Sequence, residues 1–429
     1  MKYEPKILVF TVNSWNSLLG DNTWASLLLE YKNTNVANIY IREERPDSNA
    51  CDNYFCISEE KIIKSVFKRK TKTGTRVFRV NQETEQTETQ KKHNERYHKM
   101  KQKRRYSMLF ARELVWKIGK WKTKELNEFL DEFKPNIILY SFEGYIHLNR
   151  IVRYAIKRTG AKAIGYIWDD NFTYKQSRKL GYKFYRFFQR KSLKKLAKQT
   201  QEFFAIAPKT KQEADRFFGI NCTVLSKPLN AQPQAETYID LQKPLKMLYT
   251  GNLLIGRDQT LYKISRALKE LNKNQIEIVL DVYTQTELSS ENLKLLQHDS
   301  CKVHSAIPQS EVLVKQKEAD TLLFLEDLSD KNLMARLSFS TKITDYFSTG
   351  KCIFAVGNSD LAPIQYFKDT KSAIVIDKEA DILIGLSHLL SAENLANYAK
   401  NAVRCGNINH GAEHINKTFS SVINRVYSE

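Results

Sequence analysis

The chain has no apolar run approaching the length of a membrane span, so its 429 residues give no sequence expectation of a transmembrane helix. Met1-Lys2-Tyr3-Glu4-Pro5 leads straight into the strand-like Ile7–Thr11 without the apolar core of a signal peptide, which gives the expectation of a cytoplasmic protein. The six cysteines, at 51, 56, 222, 301, 352 and 405, include no two-residue pairing of the zinc-ribbon kind and are read as reduced thiols. Cys51 and Cys56 stand closest, yet no neighbouring His or Cys cluster completes four ligands. None of the eight histidines has a partner at zinc-site spacing, and His410 and His414 read as a surface pair. No metal or other cofactor is therefore expected. A P-loop lysine string is missing, and no Gly-x-Gly-x-x-Gly follows the first strand, which excludes the usual phosphate cradle of nucleotide hydrolases and the dinucleotide fingerprint. Zinc-finger, RNP-type and clear helix-turn-helix patterns are absent too, so nucleic acid is not an expected partner despite the basic charge.

What is present fills two cores. A chain this long exceeds one ordinary domain, and 42% hydrophobic and 11% aromatic residues supply the interior of both. The net charge of +20 is unevenly placed. Residues 1–230 hold 46 Lys and Arg against 24 Asp and Glu, and the remainder holds 22 against 24, a net of +22 against −2. That asymmetry points to a polyanionic or membrane-surface partner for the first part only.

Strand-like runs at Ile7–Thr11, Ile39–Ile41, Ile137–Tyr140, Ala163–Ile167 and Phe203–Ala207 alternate with longer amphipathic stretches, the pattern of parallel βα units. The alternation resumes with Met247–Thr250, Ile276–Tyr283, Val303–Ser305, Thr321–Leu325, Cys352–Val356 and Ala373–Ile376. Two doubly wound domains are expected, 1–230 and 231–429, linked near Pro228 to Pro244, with the last helix able to pack back on the first domain. The interval from Ile41 to Ile137 interrupts the pattern. It contains Lys68-Arg69-Lys70, a Thr/Gln/Glu tract at 82–90 with almost nothing apolar to bury, and the basic cluster Lys101, Lys103, Arg104 and Arg105. In a second basic zone, Lys175 to Lys198, Tyr182, Phe184, Tyr185, Phe187 and Phe188 interleave with Lys183, Arg186, Arg190 and Lys191. These zones fit either a solvated helix face or docking on an anionic membrane surface.

The stretch from Ser338 to Ala355 carries the most chemistry. Thr341 is placed as the N-cap of a short helix, Gly350 as its stop, and the run from Cys352 as a buried strand. First-turn amides would face a phosphate, and Asp345, one turn in, can accept hydrogen bonds from vicinal ribose hydroxyls; a capped surface helix is the other reading. Thr341-Lys342-Ile343-Thr344-Asp345-Tyr346, followed by Thr349-Gly350-Lys351-Cys352, resembles the nucleotide-sugar site of GT-B glycosyltransferases, especially family-four retaining enzymes of bacterial capsular and surface polysaccharide synthesis. Asp345 stands in place of the second glutamate of that family's paired-glutamate motif, and Leu337 where the first would fall. Lys246-Met247-Leu248-Tyr249-Thr250-Gly251-Asn252 with Arg257 looks like the family's strand-Gly-Asn/Arg element. Gly251 and Asn252 would then border the donor, and Arg257, in a loop before a helix beginning near Thr260, would neutralise the leaving diphosphate; without the 341–345 string, Arg257 reads as an exposed charge at a helix start.

The loop after the first strand, with Gly20 before the helical run from Thr23, is similar to the family's Gly-rich first loop and equally to a plain βα turn. Asp169 and Asp170, ending the strand before them, resemble the family's pair facing the donor sugar. A carboxylate there binds a sugar hydroxyl or takes the acceptor's proton, or else caps the next helix. Glu143 and Lys227 sit at other expected strand ends. No Asp-x-Asp, the metal-binding spacing of the other major glycosyltransferase architecture, is present.

The resemblance implies an α/β fold of GT-B architecture, two Rossmann-like domains facing each other across a cleft. It implies metal-independent transfer of a hexose-type sugar from a nucleotide-sugar donor, with retention of configuration. Arg257 and Lys342 would act on the leaving group, Asp169 or Asp170 on the sugar or acceptor, and Gly20, Gly251, Asn252, Thr341 and Asp345 would bind donor. A lipid-linked or glycan acceptor, with polyprenyl diphosphate as carrier, would place the protein at the inner face of the cell membrane. A non-hydrolysing sugar-nucleotide epimerase and a non-enzymatic scaffold with a decayed site are the alternatives.

Overall fold

The computed structural model describes residues 4–16, 23–79, 106–229, 232–238, 241–330 and 333–428. Gly20, the tract 82–90 and the cluster Lys101, Lys103, Arg104 and Arg105 lie outside them. The chain divides into two compact units. One comprises Met1–Ala205, Glu213–Thr223 and Thr418–Glu429, the other Ile206–Gln212 and Val224–Lys417.

The first unit is built on a sheet of eight strands: β1 (Ile7–Thr11), β2 (Val36–Tyr40), β3 (Asn53–Ile57), β4 (Gly74–Val77), β5 (Ile137–Ser141), β6 (Lys162–Ile167), β7 (Glu202–Ala205) and β8 (Thr223–Val224). Their spatial order is β4-β3-β2-β1-β5-β6-β7-β8. β1 runs parallel to both neighbours, with Ile7 opposite Val36 on one side and Ile137 on the other. Every residue of β1, β2 and β5 is buried, which explains why these strands read as near-continuous apolar runs: helices cover both faces of a parallel sheet.

β3 and the antiparallel edge strand β4 fall inside the interval where the sequence pattern predicts no strand. β3, Asn-Tyr-Phe-Cys-Ile, is buried from Tyr54 onward, but it is short and opens on Asn53. β4, Gly-Thr-Arg-Val, is largely solvent-facing and carries no apolar period. Helices Glu59–Phe67, Tyr106–Ile118 and Lys124–Phe133 occupy the rest of the described interval. The last begins where Thr123 Oγ1 accepts from Leu126 N at 3.2 Å, an N-cap visible in the sequence as Thr-Lys-Glu.

The second unit has six parallel strands: β9 (Leu245–Thr250), β10 (Ile278–Thr284), β11 (Cys301–Ser305), β12 (Thr321–Leu325), β13 (Cys352–Val356) and β14 (Ile374–Ile376). The order β11-β10-β9-β12-β13-β14 is that of a doubly wound nucleotide-binding sheet, reversing direction between β9 and β12. Met247, Leu280, Leu323 and Phe354 from its strands, with Leu261 and Leu386 from flanking helices, form the core.

Residues 226–229 are tied into the second unit. Ser226 Oγ and His410 Nδ1 lie 2.6 Å apart, Leu229 N donates to His410 O at 2.8 Å, and Lys227 pairs with Asp345. The division therefore falls ahead of residue 230. His410 is buried, bonded through Nε2 to the Tyr366 hydroxyl at 2.8 Å, and burial lowers its pKa to about 4. The expected His410–His414 surface pair is thus corrected, because the helix Ala392–His410 turns His410 inward. At the other end of the chain, Phe419 packs on Trp24, Tyr31 and Phe204, and Arg425 pairs with Glu202 at 2.7 Å.

Candidate functional site

In an open parallel sheet, ligands gather outside the carboxyl ends of the strands where the order reverses. In the second unit that point lies beyond β9 and β12. β9 delivers Gly251 and Asn252, and β12 delivers Glu326 and Asp327. Between them the helix Arg257–Leu271 starts on Arg257 itself, one turn earlier than expected from the sequence, because Gly256 at φ +82° turns the chain into it. A Cβ on Gly256 would stand 2.3 Å from Asp327 Oδ2, so the two loops meet at a position only glycine fits.

Arg257 is held on all sides. Its Nη2 donates to Glu326 Oε1 at 2.8 Å, Nε to Glu326 Oε2 at 3.1 Å and to the Leu325 carbonyl at 3.0 Å, and Nη1 to Asn252 Oδ1 at 2.9 Å. Glu326 is 5% exposed. Fork-to-fork pairing fixes the guanidinium plane rather than leaving a mobile surface charge. The Glu326 charge and its hydrogen bond outweigh burial and raise the Arg257 pKa.

Lys342 provides the second cation. Its Nζ lies 4.8 Å from the centre of the Tyr249 ring and closes on Gly251, where a Cβ would stand 1.8 Å from it. Gly251 has φ +149°, so both its backbone and this approach require the missing side chain. Burial, and then the neighbouring Arg257 charge, lowers the Lys342 pKa to about 8. Lys342 beside Gly251 and the Glu326-paired Arg257 beside Asn252 thus set two cationic side chains at one strand end, within electrostatic reach of each other.

The helix Lys342–Thr349 differs in detail from its sequence reading. Thr341 has helical backbone angles and its side chain caps nothing; Ser340 does this instead, its Oγ accepting from Lys342 N at 3.3 Å and its carbonyl from Ile343 N at 3.1 Å. These two first-turn amides are consequently already bonded, and the cationic character here rests on side chains. Gly350 ends the helix at φ +74°, and the Tyr346 hydroxyl anchors it to β12 through the Leu323 carbonyl at 3.0 Å. Asp345 Oδ1 accepts from Lys227 Nζ at 3.1 Å. Leu337, at the place of the family's first acid, is fully buried, and its carbonyl accepts from Thr210 Oγ1 at 3.0 Å.

The first unit has its own reversal point, between β1 and β5. Beyond the strand ends lie Asn13, Arg42, Glu143 and Asp169, with Arg42 Nη1 donating to Asn13 Oδ1 at 2.6 Å. Burial, and then the Asp169 charge, raises the Glu143 pKa to about 7. Asp170 is fully buried, and both its oxygens accept from Thr173, from the amide at 2.9 Å and from the hydroxyl. Asp170 thus shapes the turn after β6, while Asp169 is the half-exposed member of the pair.

The structure thereby brings Gly251, Asn252, Arg257 and Lys342 together around one strand end, with Asp345 on the helix that carries Lys342. Glu326 was missed by sequence reasoning. Its signal is an acid placed directly after the fully buried run Thr-Leu-Leu-Phe-Leu, where a strand reaches its carboxyl end. Among the described residues no group of three or more His, Cys, Asp or Glu is arranged to hold a metal ion.

No protein-family description and no curated protein matches this chain. Solved structures do. The α,α-trehalose 6-phosphate synthase of Burkholderia multivorans matches with a TM-score of 0.58 at 8% identity, covering 98% of this chain and 96% of that one. The lipopolysaccharide outer core galactosyltransferase WaaB, in its apo form, matches with 0.55 at 12% identity over 98% and 99% of the two chains. A glycosyltransferase of Rickettsia africae ESF-5 matches with 0.55 at 10% identity over 99% of each. At these identities the likeness is one of fold, and the chain has the GT-B fold seen in these glycosyltransferase structures.

Proposed function

We propose that this chain is a glycosyltransferase that takes a sugar from a nucleotide-sugar donor and passes it, with retention of configuration, to a polyprenyl-diphosphate-linked acceptor at the cytoplasmic face of the membrane. The reaction belongs to surface polysaccharide synthesis. The observation that carries the reading is a pair of cations at the reversal point of the second sheet, Lys342 against Gly251 and Arg257 bonded to the adjacent Asn252.

In this reaction the bond between the anomeric carbon and the diphosphate oxygen breaks, and a bond to an acceptor oxygen forms as the acceptor loses its proton. Negative charge builds on the departing diphosphate. A preorganised guanidinium and a desolvated ammonium stabilise that charge more in the transition state than in the ground state, which is the condition for accelerating the step. Arg257 is preorganised by Glu326 and Asn252. Lys342, with its charge disfavoured by burial and by Arg257, gains most when an anion arrives. Asp345 serves as the ribose anchor, oriented by Lys227. On the acceptor side Asp169 is favoured over Asp170, whose carboxylate is occupied by Thr173. Among the described residues no helix is long and apolar enough to cross a membrane, so the membrane part of the reading rests on surface docking.

The test is a thermal-shift screen against uridine, guanosine and cytidine diphosphate sugars, followed by incubation of the stabilising donor with and without acceptor. Transfer requires both substrates. Conversion of the donor alone would identify an epimerase, and the absence of any stabilising nucleotide would identify a non-enzymatic protein.

A further inference from the structure

Three neighbouring helices of the first unit turn apolar side chains toward solvent. Tyr106–Ile118 packs beside both Glu59–Phe67 and Leu180–Ala197. It is joined to the former by the Arg112–Glu59 ion pair and to the latter by the Phe110 ring, 5.3 Å from that of Phe184 and 6.0 Å from that of Phe188. Phe67, Leu114, Ile118, Phe184 and Phe187 are each more than half exposed, at 86%, 56%, 55%, 60% and 53%.

The helix Leu180–Ala197 is apolar on two sides. It buries Tyr182, Tyr185, Leu193 and Leu196 together with Arg186 and Gln189, and also shows Phe184, Phe187 and Phe188 to solvent, followed by Lys191 and Lys195. An amphipathic helix that meets only water has one apolar stripe, turned to the core, and a polar outer face; three rings on the outer face depart from that pattern. Single exposed apolar residues are ordinary, whereas an apolar face spread over three adjoining helices marks an interaction surface.

The charge around the patch selects the partner. Leu180–Ala197 contains no acidic residue, and exposed Lys68, Lys117, Lys183, Lys191 and Lys195 stand on the three helices and just beyond. A second copy would set this cationic rim against itself. Nucleic acid would meet the lysines but give Leu114 and Ile118 nothing apolar to enter. An anionic bilayer accommodates both: aromatic rings settle at headgroup depth, aliphatic side chains enter the acyl boundary, and lysines meet lipid phosphates.

We infer that this three-helix face is the surface by which the protein docks on an anionic phospholipid bilayer. The inference deepens the membrane part of the proposed function, and its test needs neither donor nor acceptor. Full-length protein is sedimented with phosphatidylglycerol–phosphatidylcholine vesicles and with phosphatidylcholine vesicles across a salt series. The wild type should pellet with the anionic vesicles and be released progressively as salt rises.

The double variant Phe67→Ser/Phe187→Ser should weaken partitioning by about tenfold or more, since each replacement removes a ring that would otherwise leave water. Lys191→Glu/Lys195→Glu should weaken it by roughly fivefold or more per position at low salt. Unchanged thermal melting of both variants shows that the fold is retained. Absence of wild-type binding, or equal partitioning of wild type and variants, overturns the inference, as does a dimer in sedimentation velocity that Phe67→Ser/Phe187→Ser dissociates. Donor binding by the wild type is measured separately, so failure of docking and failure of the glycosyltransferase reading are distinguishable.

Discussion

Glu326 grips Arg257 through both carboxylate oxygens, at 2.8 and 3.1 Å, directly beyond the strand that carries the acid. The pair fixes the guanidinium plane where the C-terminal sheet reverses its order. Arg257→Ala should lower turnover by about 10²–10³, the effect of losing one preorganised donor at a site of developing charge. Arg257→Lys should recover only part of this, because an ammonium cannot occupy both oxygens of Glu326 and also reach Asn252. Steady-state rates at saturating donor, with thermal melts alongside, check both variants; a wild-type rate for Arg257→Ala would reduce Arg257 to a structural partner of Glu326.

Lys342 makes donor binding depend on pH. Burial, and then the Arg257 charge, bring its pKa to about 8, below the ordinary 10.5, so the charged form is disfavoured. Folding stability contributed by this residue is therefore reduced at pH values below about 8 and recovers as pH rises toward 10.5. An arriving diphosphate favours the ammonium, so binding should take up a proton near pH 8 and weaken above it. Calorimetry in buffers of different ionisation enthalpy measures this uptake. Lys342→Met should abolish it.

Gly251→Ala tests the close approach behind that cation. The added Cβ would stand 1.8 Å from Lys342 Nζ, on a backbone at φ +149°. Lysine is flexible and should swing aside, lowering donor affinity, while the backbone strain costs about 1–3 kcal/mol of stability. Retained donor affinity in the folded variant would show that Lys342 does not act from this position.

Asp345→Ala should weaken donor binding by roughly 1.5–3 kcal/mol, the range for hydrogen bonds to a charged group. It also removes an ion-pair partner of Lys227, which is 6% exposed, so a stability loss accompanies it. The double variant Lys227→Met/Asp345→Ala should regain stability without regaining donor affinity. Were affinity to return with stability, the ribose role of Asp345 would be replaced by a structural one.

Glu143 gives a linkage of opposite sign to the usual carboxylate. Its folded pKa of about 7 exceeds the ordinary 4.5, so the folded state holds the proton more tightly and stability falls as pH rises between these values. Glu143→Gln should flatten that slope in thermal melts. An unchanged slope would mean that Glu143 titrates as an exposed acid.

The alternating apolar runs made the parallel sheets legible, because strands such as Ile7–Thr11 and Thr321–Leu325 are buried on both faces and contain no polar residue that would break the signal except at their ends. β3 and β4 escaped for the converse reason: one opens on Asn53 and the other is an exposed antiparallel edge. Gly251, Arg257, Lys342 and Asp345 are open to nomination from sequence because local strings place them at strand and helix ends. Partnerships between distant segments were not visible. Nothing near Arg257 in sequence announces Glu326, and nothing near Asp345 announces Lys227, since these contacts arise only when neighbouring strand ends and the segment at 226–229 converge in space. Thr341 was favoured as N-cap on residue type alone, yet Ser340, of the same class, supplies the bond.

Calorimetric titration of uridine, guanosine and cytidine diphosphates into the full-length wild type and into Arg257→Ala and Lys342→Met tests the donor site most directly. One nucleoside diphosphate should bind the wild type in preference to the others, with each substitution weakening it by tenfold or more, about 1.4 kcal/mol. Binding of none of the three by the folded wild type, or equal affinity in all three proteins, would contradict a nucleotide-sugar site at Arg257 and Lys342.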